Sequence, residues 1–272
     1  MKRRATDGST SVATSTLVCP SDHARLQVDL DALVCTKGHT FILRDGFYDM
    51  WPPDATEPGM DWFSTPYGLV YDTGIKERWL ARLAGRVGWG ADIGRMYELM
   101  DEGVKCDRDE VVVDVPCGGA PPLRAAAGRL LGTYVGIDLS EAMLQRAVAE
   151  QHAEGLENVL MVRGDVGRMP LRDGSVDRVL CFNGLHVLPD KAAALREFTR
   201  VLRPGGEVWG NVVTSDSSLG GMLTRPWFSR PWLFFHPADP VELEMTALEC
   251  GFETWEQDQD GLMLFFRGVR GE

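Results

Sequence analysis

From position 110 onward, short apolar strands alternate with segments of helical periodicity, and this alternation limits the possible fold more than any other feature of the chain. Seven strands are expected, at residues 110–115, 133–138, 158–163, 176–182, 207–213, 252–255 and 262–266. The helix after the first strand should turn one apolar face inward, formed by Leu123, Ala126, Ala127, Leu130 and Leu131. This order predicts an α/β fold with a seven-stranded, mostly parallel sheet and helices on both faces.

The rest of the chain divides into short regions before and within this sheet. A length of 272 residues allows one large domain and a small appendage. We expect a disordered tail at 1–16, a small β module at 17–53, a linker and helical lid at 54–104, and the main domain at 105–272, with a substrate-lid insertion at 214–237. Within the module, Asp45-Gly46 predicts the turn of a hairpin.

Charge and composition argue against several classes of partner. The chain carries 28 Lys and Arg against 40 Asp and Glu, a formal net charge of −12, whereas nucleic-acid binding draws much of its affinity from cations. The sequence contains no run of about 18 apolar residues, which a membrane-spanning helix would need. The six cysteines are scattered along the chain and do not form a disulfide pattern. We therefore expect a reduced, cytoplasmic protein that is a poor general binder of nucleic acid unless one face is locally basic.

A glycine-containing loop follows the first strand, at the sheet edge where parallel α/β folds bind ligands. It runs from Asp114 to Ala120 with the sequence Asp-Val-Pro-Cys-Gly-Gly-Ala, and glycine lets a backbone approach a ligand closely. Asp138 ends the second strand 20 residues after Gly118, where it could accept both hydroxyls of a ribose. The G-x-G-x-x-G spacing of a dinucleotide site is missing.

Five motifs in order make residues 61–272 resemble the class I S-adenosylmethionine (SAM)-dependent methyltransferases, including the type 11 enzymes of quinone pathways. The motifs are the Asp114 loop, Gly136-Ile-Asp-Leu-Ser140 with Met143, Gly164-Asp-Val166 with Met169-Pro-Leu171, Asp173-Gly-Ser-Val-Asp177 with Asn183-Gly-Leu-His186, and Arg200-Val-Leu-Arg-Pro-Gly-Gly206. The resemblance implies a Rossmann-like methyltransferase sheet, SAM as cofactor and S-adenosylhomocysteine (SAH) as product.

The resemblance also implies roles for individual residues. Gly118 approaches the methionine end of SAM, Asp138 accepts from the ribose hydroxyls, and Asp165 accepts from the adenine amino group. The Val166 amide meets the adenine ring, and Asn183 lies beside the sulfonium. The complete cofactor-binding set is Asp114, Pro116, Cys117, Gly118, Gly119, Asp138, Leu139, Met143, Gly164, Asp165, Val166 and Asn183. Pro116 and Ala120 replace the first and third glycines of the family loop, which predicts binding with an altered loop shape.

His186 and His236 are the candidate catalytic residues. The positive sulfur of SAM already activates the methyl group, so the enzyme chiefly positions the acceptor. An oxygen acceptor also needs a base near neutral pH, and histidine has a suitable pKa. His186 follows the fourth strand and His236 ends an aromatic loop. Packing or hydrogen bonding is the alternative role for both.

Aromatic residues in two segments are candidates for an apolar substrate pocket. Residues 226–235 contain five aromatic side chains in ten positions, and such clusters line small-molecule pockets. An opposing lid is expected from the aromatic residues near position 67. The substrate-binding set is Phe63, Tyr67, Tyr71, Trp227, Phe228, Trp232 and Phe235. The alternatives are a loop packed on its own core and a dimer contact.

The N-terminal module resembles the zinc ribbon that precedes the methyltransferase domain of bacterial ribosomal-RNA guanine methyltransferases. That pattern has C-x2-C followed by C-x3-H, whereas Asp22 replaces the second cysteine here. Zinc accepts sulfur, nitrogen and carboxylate ligands, so the implied metal ligands are Cys19, Asp22, Cys35 and His39. A vestigial ribbon without metal is the alternative.

Three functions therefore remain open. The first is a methyltransferase for a small, largely apolar molecule such as a quinone, a phenolic or a polyketide-like metabolite. The second is an RNA base methyltransferase, which the ribbon favours and the charge opposes. The third is a SAM-binding protein that no longer transfers methyl groups, which the substitutions Pro116 and Ala120 suggest. The acceptor atom and the oligomeric state do not follow from the sequence.

Overall fold

A computed structural model describes residues 15–30, 32–52, 78–88, 90–126, 128–188, 190–214 and 236–272. Its α-helices are α1 (Arg78–Gly88), α2 (Gly94–Gly103), α3 (Glu141–Ala153), α4 (Lys191–Val201) and α5 (Pro240–Glu249). Its strands are β1 (Leu26–Asp29), β2 (Ala32–Cys35), β3 (Thr40–Arg44), β4 (Phe47–Asp49), β5 (Val111–Asp114), β6 (Thr133–Asp138), β7 (Val159–Arg163), β8 (Val176–Phe182), β9 (Leu202–Val213), β10 (Phe252–Asp260) and β11 (Met263–Arg270). None of these helices is long and apolar enough to cross a membrane.

The strands form one mixed sheet in the order β1-β2-β3-β4-β7-β6-β5-β8-β9-β11-β10. Neighbouring strands are parallel from β4 to β9 and antiparallel at both ends. The α/β class is as expected, but the described sheet has eleven strands rather than seven. The difference arises because β4 pairs with β7, matching Tyr48 to Val162, and so joins the N-terminal strands to the main sheet.

The central strands are buried on both faces, as continuous apolar runs predict for parallel strands under helices. All five residues of β7 are buried. Along β5, Val112 and Val113 belong to two different buried clusters, because successive side chains point to opposite faces of a sheet. Helices α4 and α5 pack into the cluster of Val113, and α2 and α3 pack into that of Val112.

The prediction of an α-helix after β5 is wrong. The described chain forms a short 3-10 helix instead, Pro121–Ala125, followed by turns. Gly128 has a φ of +70°, which lies in the left-handed region that ends helices. Leu123 is buried whereas Leu131 is 49% exposed, so the proposed apolar residues do not share one buried face.

The N-terminal module consists of consecutive antiparallel hairpins that share the core of the main sheet. Asp45 and Gly46 both have positive φ values and form the predicted turn between β3 and β4, as two-residue hairpin loops require. Leu33 and Phe41 belong to the same buried cluster as Val113 of β5. The predicted tail lies outside the described residues, except for its last two positions.

Candidate cofactor site and metal cluster

The loop after β5 has the backbone shape that a glycine-rich loop needs. Gly118 has a φ of +53°, and no atom lies within 4 Å of the place where a Cβ would stand. Ala120 has a φ of +50°, which is also in the left-handed region. The alanine therefore keeps a backbone conformation that glycine adopts freely, and Gly118 leaves open space in front of the loop.

Asp138 joins this loop to the start of α3. Its Oδ2 accepts the amide hydrogen of Gly118 at 2.8 Å, and its Oδ1 accepts that of Ser140 at 2.8 Å. Ser140 in turn caps α3 by accepting from the Met143 amide at 3.2 Å. A carboxylate oxygen has two lone pairs. Each oxygen of Asp138 can therefore accept one hydrogen bond from a backbone amide and a second one from a ribose hydroxyl.

Asp114 lies beneath the same loop and is buried. Tyr134 donates its hydroxyl hydrogen to Asp114 Oδ2 at 2.6 Å. Burial raises the pKa of Asp114 to about 7, and it also raises the pKa of the neighbouring Cys117 and Cys181 thiols. The Asp114 side chain thus contacts Tyr134 in the interior, where it supports the loop.

The predicted adenine-side residues follow β7, next to Asp138. The Gly164 amide donates to the Asp138 carbonyl at 3.1 Å, and Asp165 Oδ1 accepts from the Gly167 amide at 2.9 Å. Leu139 is 42% exposed at this edge, whereas Met143 is buried in α3. The structure therefore brings the loop after β5 and the ends of β6 and β7 to one edge of the sheet.

Asn183, which follows β8, is held by a residue that the sequence analysis missed. Asn183 has a φ of +54°, which asparagine tolerates better than most residues. Asn211 of β9 donates from Nδ2 to Asn183 Oδ1 at 2.8 Å, and Asn183 Nδ2 lies 3.3 Å from Met96 Sδ. Asn211 is fully buried. A polar residue inside the apolar strand 207–213 is the sequence signal that could have identified it.

The two candidate histidines have different environments. His186 is buried, the Val213 amide points at its Nδ1 at 3.4 Å, and burial lowers its pKa to about 3. Burial and this contact fit the alternative role in packing and hydrogen bonding, and a role of His186 in proton transfer stays a prediction. His236 is exposed, and its amide donates to the His186 carbonyl at 2.6 Å.

The predicted substrate residues all lie outside the part of the chain that the structure describes. They are Phe63, Tyr67, Tyr71, Trp227, Phe228, Trp232 and Phe235. Their grouping into a pocket stays a prediction.

The predicted metal ligands come together in the N-terminal module. One ligand atom from each of Cys19, Asp22, Cys35 and His39 lies within 4.8 Å of all the others. His39 Nδ1 is 3.3 Å from Cys19 Sγ, 3.4 Å from Cys35 Sγ and 3.7 Å from Asp22 Oδ2. Two sulfurs, one nitrogen and one carboxylate oxygen are donors that a tetrahedral zinc ion accepts. The residues therefore fit zinc even without the second family cysteine.

A second set of contacts joins the module to the cofactor edge through Arg163, the last residue of β7. The Arg163 side chain is almost buried, and its Nη1 lies 3.2 Å from Asp49 Oδ1 of β4. The same nitrogen is 3.5 Å from Glu141 Oε1 of α3, and Nε lies 3.4 Å from the Leu139 carbonyl oxygen. An ion pair thus connects the end of β4 to β7, the strand that precedes Gly164 and Asp165.

Comparison with known proteins supports the same class. Residues 113–210 match the family model described as a methyltransferase domain. An uncharacterized chloroplastic methyltransferase of Arabidopsis thaliana is 30% identical over 176 residues, which cover 62% of this chain and 50% of the relative. A demethylmenaquinone methyltransferase of Staphylococcus aureus is 38% identical over 119 residues, covering 43% and 47%. The chain thus spans about half the length of these curated relatives.

Solved structures show the same fold. One chain matches from the Haloferax volcanii complex between the Trm112 methyltransferase activator and a methyltransferase. The match has a TM-score of 0.62 and 19% identity, and it covers 79% of this chain and all of the matched chain. The predicted resemblance to the class I SAM-dependent methyltransferases is therefore confirmed over residues 113–210, which match a methyltransferase domain, and the solved structures show the corresponding fold.

Proposed function

We propose that this protein transfers the methyl group of SAM to a small, largely apolar molecule and releases SAH. The observation that carries the proposal is the contact of Asp138 with the Gly118 amide, which sets a ribose acceptor beside an open glycine loop. In the transfer, the acceptor atom forms a bond to the methyl carbon while the bond from that carbon to sulfur breaks. The protein's main contribution is in-line positioning of the two groups.

SAM lies along the edge formed by the ends of β5 to β8 in this proposal. Pro116, Cys117, Gly118 and Gly119 surround its methionine end, and the remaining contacts follow the order of the strands. Asp138 with Leu139 holds the ribose and adenine, while Asp165 and Val166 recognise the adenine edge. Asn183, oriented by Asn211, lies beside the sulfonium.

Three observations support a small apolar acceptor. The net charge of −12 disfavours nucleic acid, and the aromatic segment 226–235 suits an apolar pocket. One relative is by name a demethylmenaquinone methyltransferase, which makes a quinone-like phenol a reasonable acceptor. For an oxygen acceptor, His236 is the better candidate base because its ring is exposed, whereas that of His186 is buried.

We also propose that Cys19, Asp22, Cys35 and His39 hold one zinc ion with a structural role. All four positions are taken by protein donors, as is typical of structural zinc sites. The ion would link the turn that carries Cys19 and Asp22 to the hairpin of β2 and β3.

The proposed activity is tested with methyl-labelled SAM and extract of the source cells. After incubation, label is counted in RNA, protein and organic-soluble fractions. Label in the organic fraction supports the proposal and supplies the acceptor for purification. Label in RNA would instead favour an RNA base methyltransferase, the candidate that the ribbon-like module suggests. Tight SAM binding without label in any fraction would indicate a protein that no longer transfers methyl groups.

The role of His236 is tested with the purified acceptor. His236→Ala should lower kcat by about 100-fold if the ring removes a proton, with an unchanged dissociation constant for SAH. An unchanged kcat would show that no base is supplied at this position.

A further inference from the structure

We propose that the metal cluster of the N-terminal module and the adenine-side segment are coupled, so that zinc and SAM each strengthen the binding of the other. The adenine-side segment is here defined as residues 164–172. This inference rests on the proposed function, because it takes SAM to bind at this segment and zinc at the cluster. The residues that couple the two sites are positioning residues, since they touch neither ligand.

The segment is paired with the residues that lead into the metal-ligand turn, which comprises residues 19–23. The Val18 amide donates to the Pro170 carbonyl at 3.0 Å, and the Arg172 amide donates to the Thr16 carbonyl at 3.2 Å. Leu17 and Leu171 form an antiparallel bridge between these two contacts. Cys19, the first ligand, therefore follows directly after a stretch fixed to the adenine-side segment.

A further contact reaches from the metal-ligand turn to the turn that carries Asp165. Arg168 Nη2 lies 3.5 Å from the carbonyl oxygen of Ser21, which stands between the ligands Cys19 and Asp22. The Arg168 amide donates to the Asp165 carbonyl at 3.1 Å. One residue thus contacts the metal-ligand turn with its side chain and the adenine-side turn with its backbone.

Packing continues the same connection through the core. Leu17 and Cys19 are fully buried in one cluster with Met169 and Leu171. On the far side, the Met169 amide donates to Glu197 Oε2 of α4 at 2.9 Å. The adenine-side segment is therefore held between α4 and the metal-ligand turn, and close-packed interiors transmit a displacement of one side to the other.

The physical consequence is a linkage between two ligands. A zinc ion bonded to Cys19 and Asp22 fixes the metal-ligand turn, and it thereby restricts the segment that SAM needs in one conformation. Without the ion, part of the SAM binding free energy is spent on ordering that segment. Coupling of two sites is reciprocal: the factor by which zinc changes the SAM affinity equals the factor by which SAM changes the zinc affinity.

The test uses the full chain in zinc-loaded and chelator-stripped forms. SAH is titrated into each form by calorimetry, and the zinc dissociation constant is measured by chelator competition with and without SAH. We expect SAH to bind about tenfold more weakly to the stripped form than to the zinc-loaded form. The affinity of the chain for zinc should be lower by the same factor when SAH is absent. Equal SAH affinity in both forms, with circular dichroism showing both folded, would overturn the coupling. Failure of the chain to bind zinc would also overturn it.

Failure of the proposed function gives a different result. If neither form binds SAH, the cofactor site itself is wrong and the coupling falls with it. If SAH binds equally to both forms, the cofactor site stands and only the coupling is lost. The two failures are therefore distinguishable in the same titrations.

A variant tests the connection without touching a ligand of the metal. Arg168→Ala should keep one zinc ion per chain, while the ratio of SAH affinities between loaded and stripped forms falls from about ten toward one. Arg108→Ala is the matched control, because it removes the same charge from an exposed side chain before β5, outside the segment and the metal-ligand turn. Its ratio should stay at the wild-type value. Equal ratios in the two variants would show that Arg168 does not carry the coupling.

Discussion

Asp22 of the candidate metal site and Asp138 of the candidate cofactor site form the same local turn, although different ligands are proposed for them. Each accepts the amide hydrogen of the residue two positions on, from Ala24 at 2.9 Å and from Ser140 at 2.8 Å. This turn orients the carboxylate and leaves its second oxygen to other partners. Both side chains are almost buried, with 7% of Asp22 exposed and 8% of Asp138.

The second oxygen marks the difference between the two sites. Asp22 Oδ2 lies 3.7 Å from His39 Nδ1 and 3.9 Å from Cys35 Sγ, which are donors that a cation can share. Asp138 Oδ2 accepts from the Gly118 amide beside open space, where a hydroxyl can approach. The comparison teaches that the turn aims the carboxylate, while residues distant in sequence decide which ligand it can bind.

The largest expected effect is loss of the metal from the first of these sites. Wild-type protein should carry about one zinc ion per chain by elemental analysis, and Cys35→Ser should carry almost none. The melting temperature should fall as well, because structural zinc sites contribute about 10–16 kcal/mol of binding free energy in zinc-finger peptides. Cys250→Ser is the control, since this half-buried cysteine lies outside the cluster. Wild-type protein without bound zinc would contradict the assignment of Asp22 as a metal ligand, and with it the proposed difference from Asp138.

Asp114 sharpens the comparison, because it is a buried carboxyl that supports the cofactor loop from below. Burial raises its pKa from 3.8 to about 7, so between these pH values the folded state binds more protons than the unfolded state. The contribution of Asp114 to the free energy of unfolding should therefore decrease as pH rises from about 4 to 7. Asp114→Asn should remove this contribution, so its stability relative to wild type should be greater at pH 8 than at pH 5 by about 2–3 kcal/mol.

Urea unfolding at pH 5 and pH 8 measures this difference. Asp109→Asn is a matched control, because Asp109 is exposed before the opposite end of β5. The same pH dependence in wild type and Asp114→Asn would contradict the raised pKa.

Asp138→Ala tests the cofactor half of the comparison. The variant should weaken SAH binding by at least about 100-fold, because hydrogen bonds to a charged group contribute about 1.5–3 kcal/mol each. Calorimetry with SAH measures the change, and circular dichroism checks the fold. Glu157→Ala, an exposed acidic residue before β7, should bind SAH as wild type does. Unchanged affinity in Asp138→Ala would refute the ribose assignment.

The smallest effect is expected where the two regions meet. Asp49→Asn weakens the ion pair with Arg163, which keeps Glu141 as a second partner. SAH binding should weaken by about three- to fivefold, in line with about 1 kcal/mol for a partly exposed pair. Asp45→Asn makes the same chemical change at an exposed turn of the same module, and its SAH affinity should match wild type. Equal affinities in both variants would indicate that this ion pair does not reach the cofactor.

Local patterns predicted much of the main sheet, and the resemblance to a zinc ribbon predicted that Cys19, Asp22, Cys35 and His39 come together. The buried runs of β6 and β7 are long enough to identify from their apolar residues alone. The position of Asp138 at the end of β6 was predicted, and the structure adds its contact with the Gly118 amide. The predicted α-helix after β5 was wrong, because the apolar spacing suggested a helix that continues through Gly128. Gly128 has a positive φ, which a continuing helix does not allow. Asn211 was missed because its partner Asn183 is 28 residues away.

The sequence by itself determined the alternation of strands and helices, the turns that orient Asp22 and Asp138, and the chemical types of the four side chains proposed to bind zinc. These features depend on residues a few positions apart. Only the tertiary structure decided that β4 extends the main sheet beside β7, and that Arg168 meets Ser21 across 147 positions of the chain. Such contacts depend on packing between distant segments, and no local period encodes which segments meet.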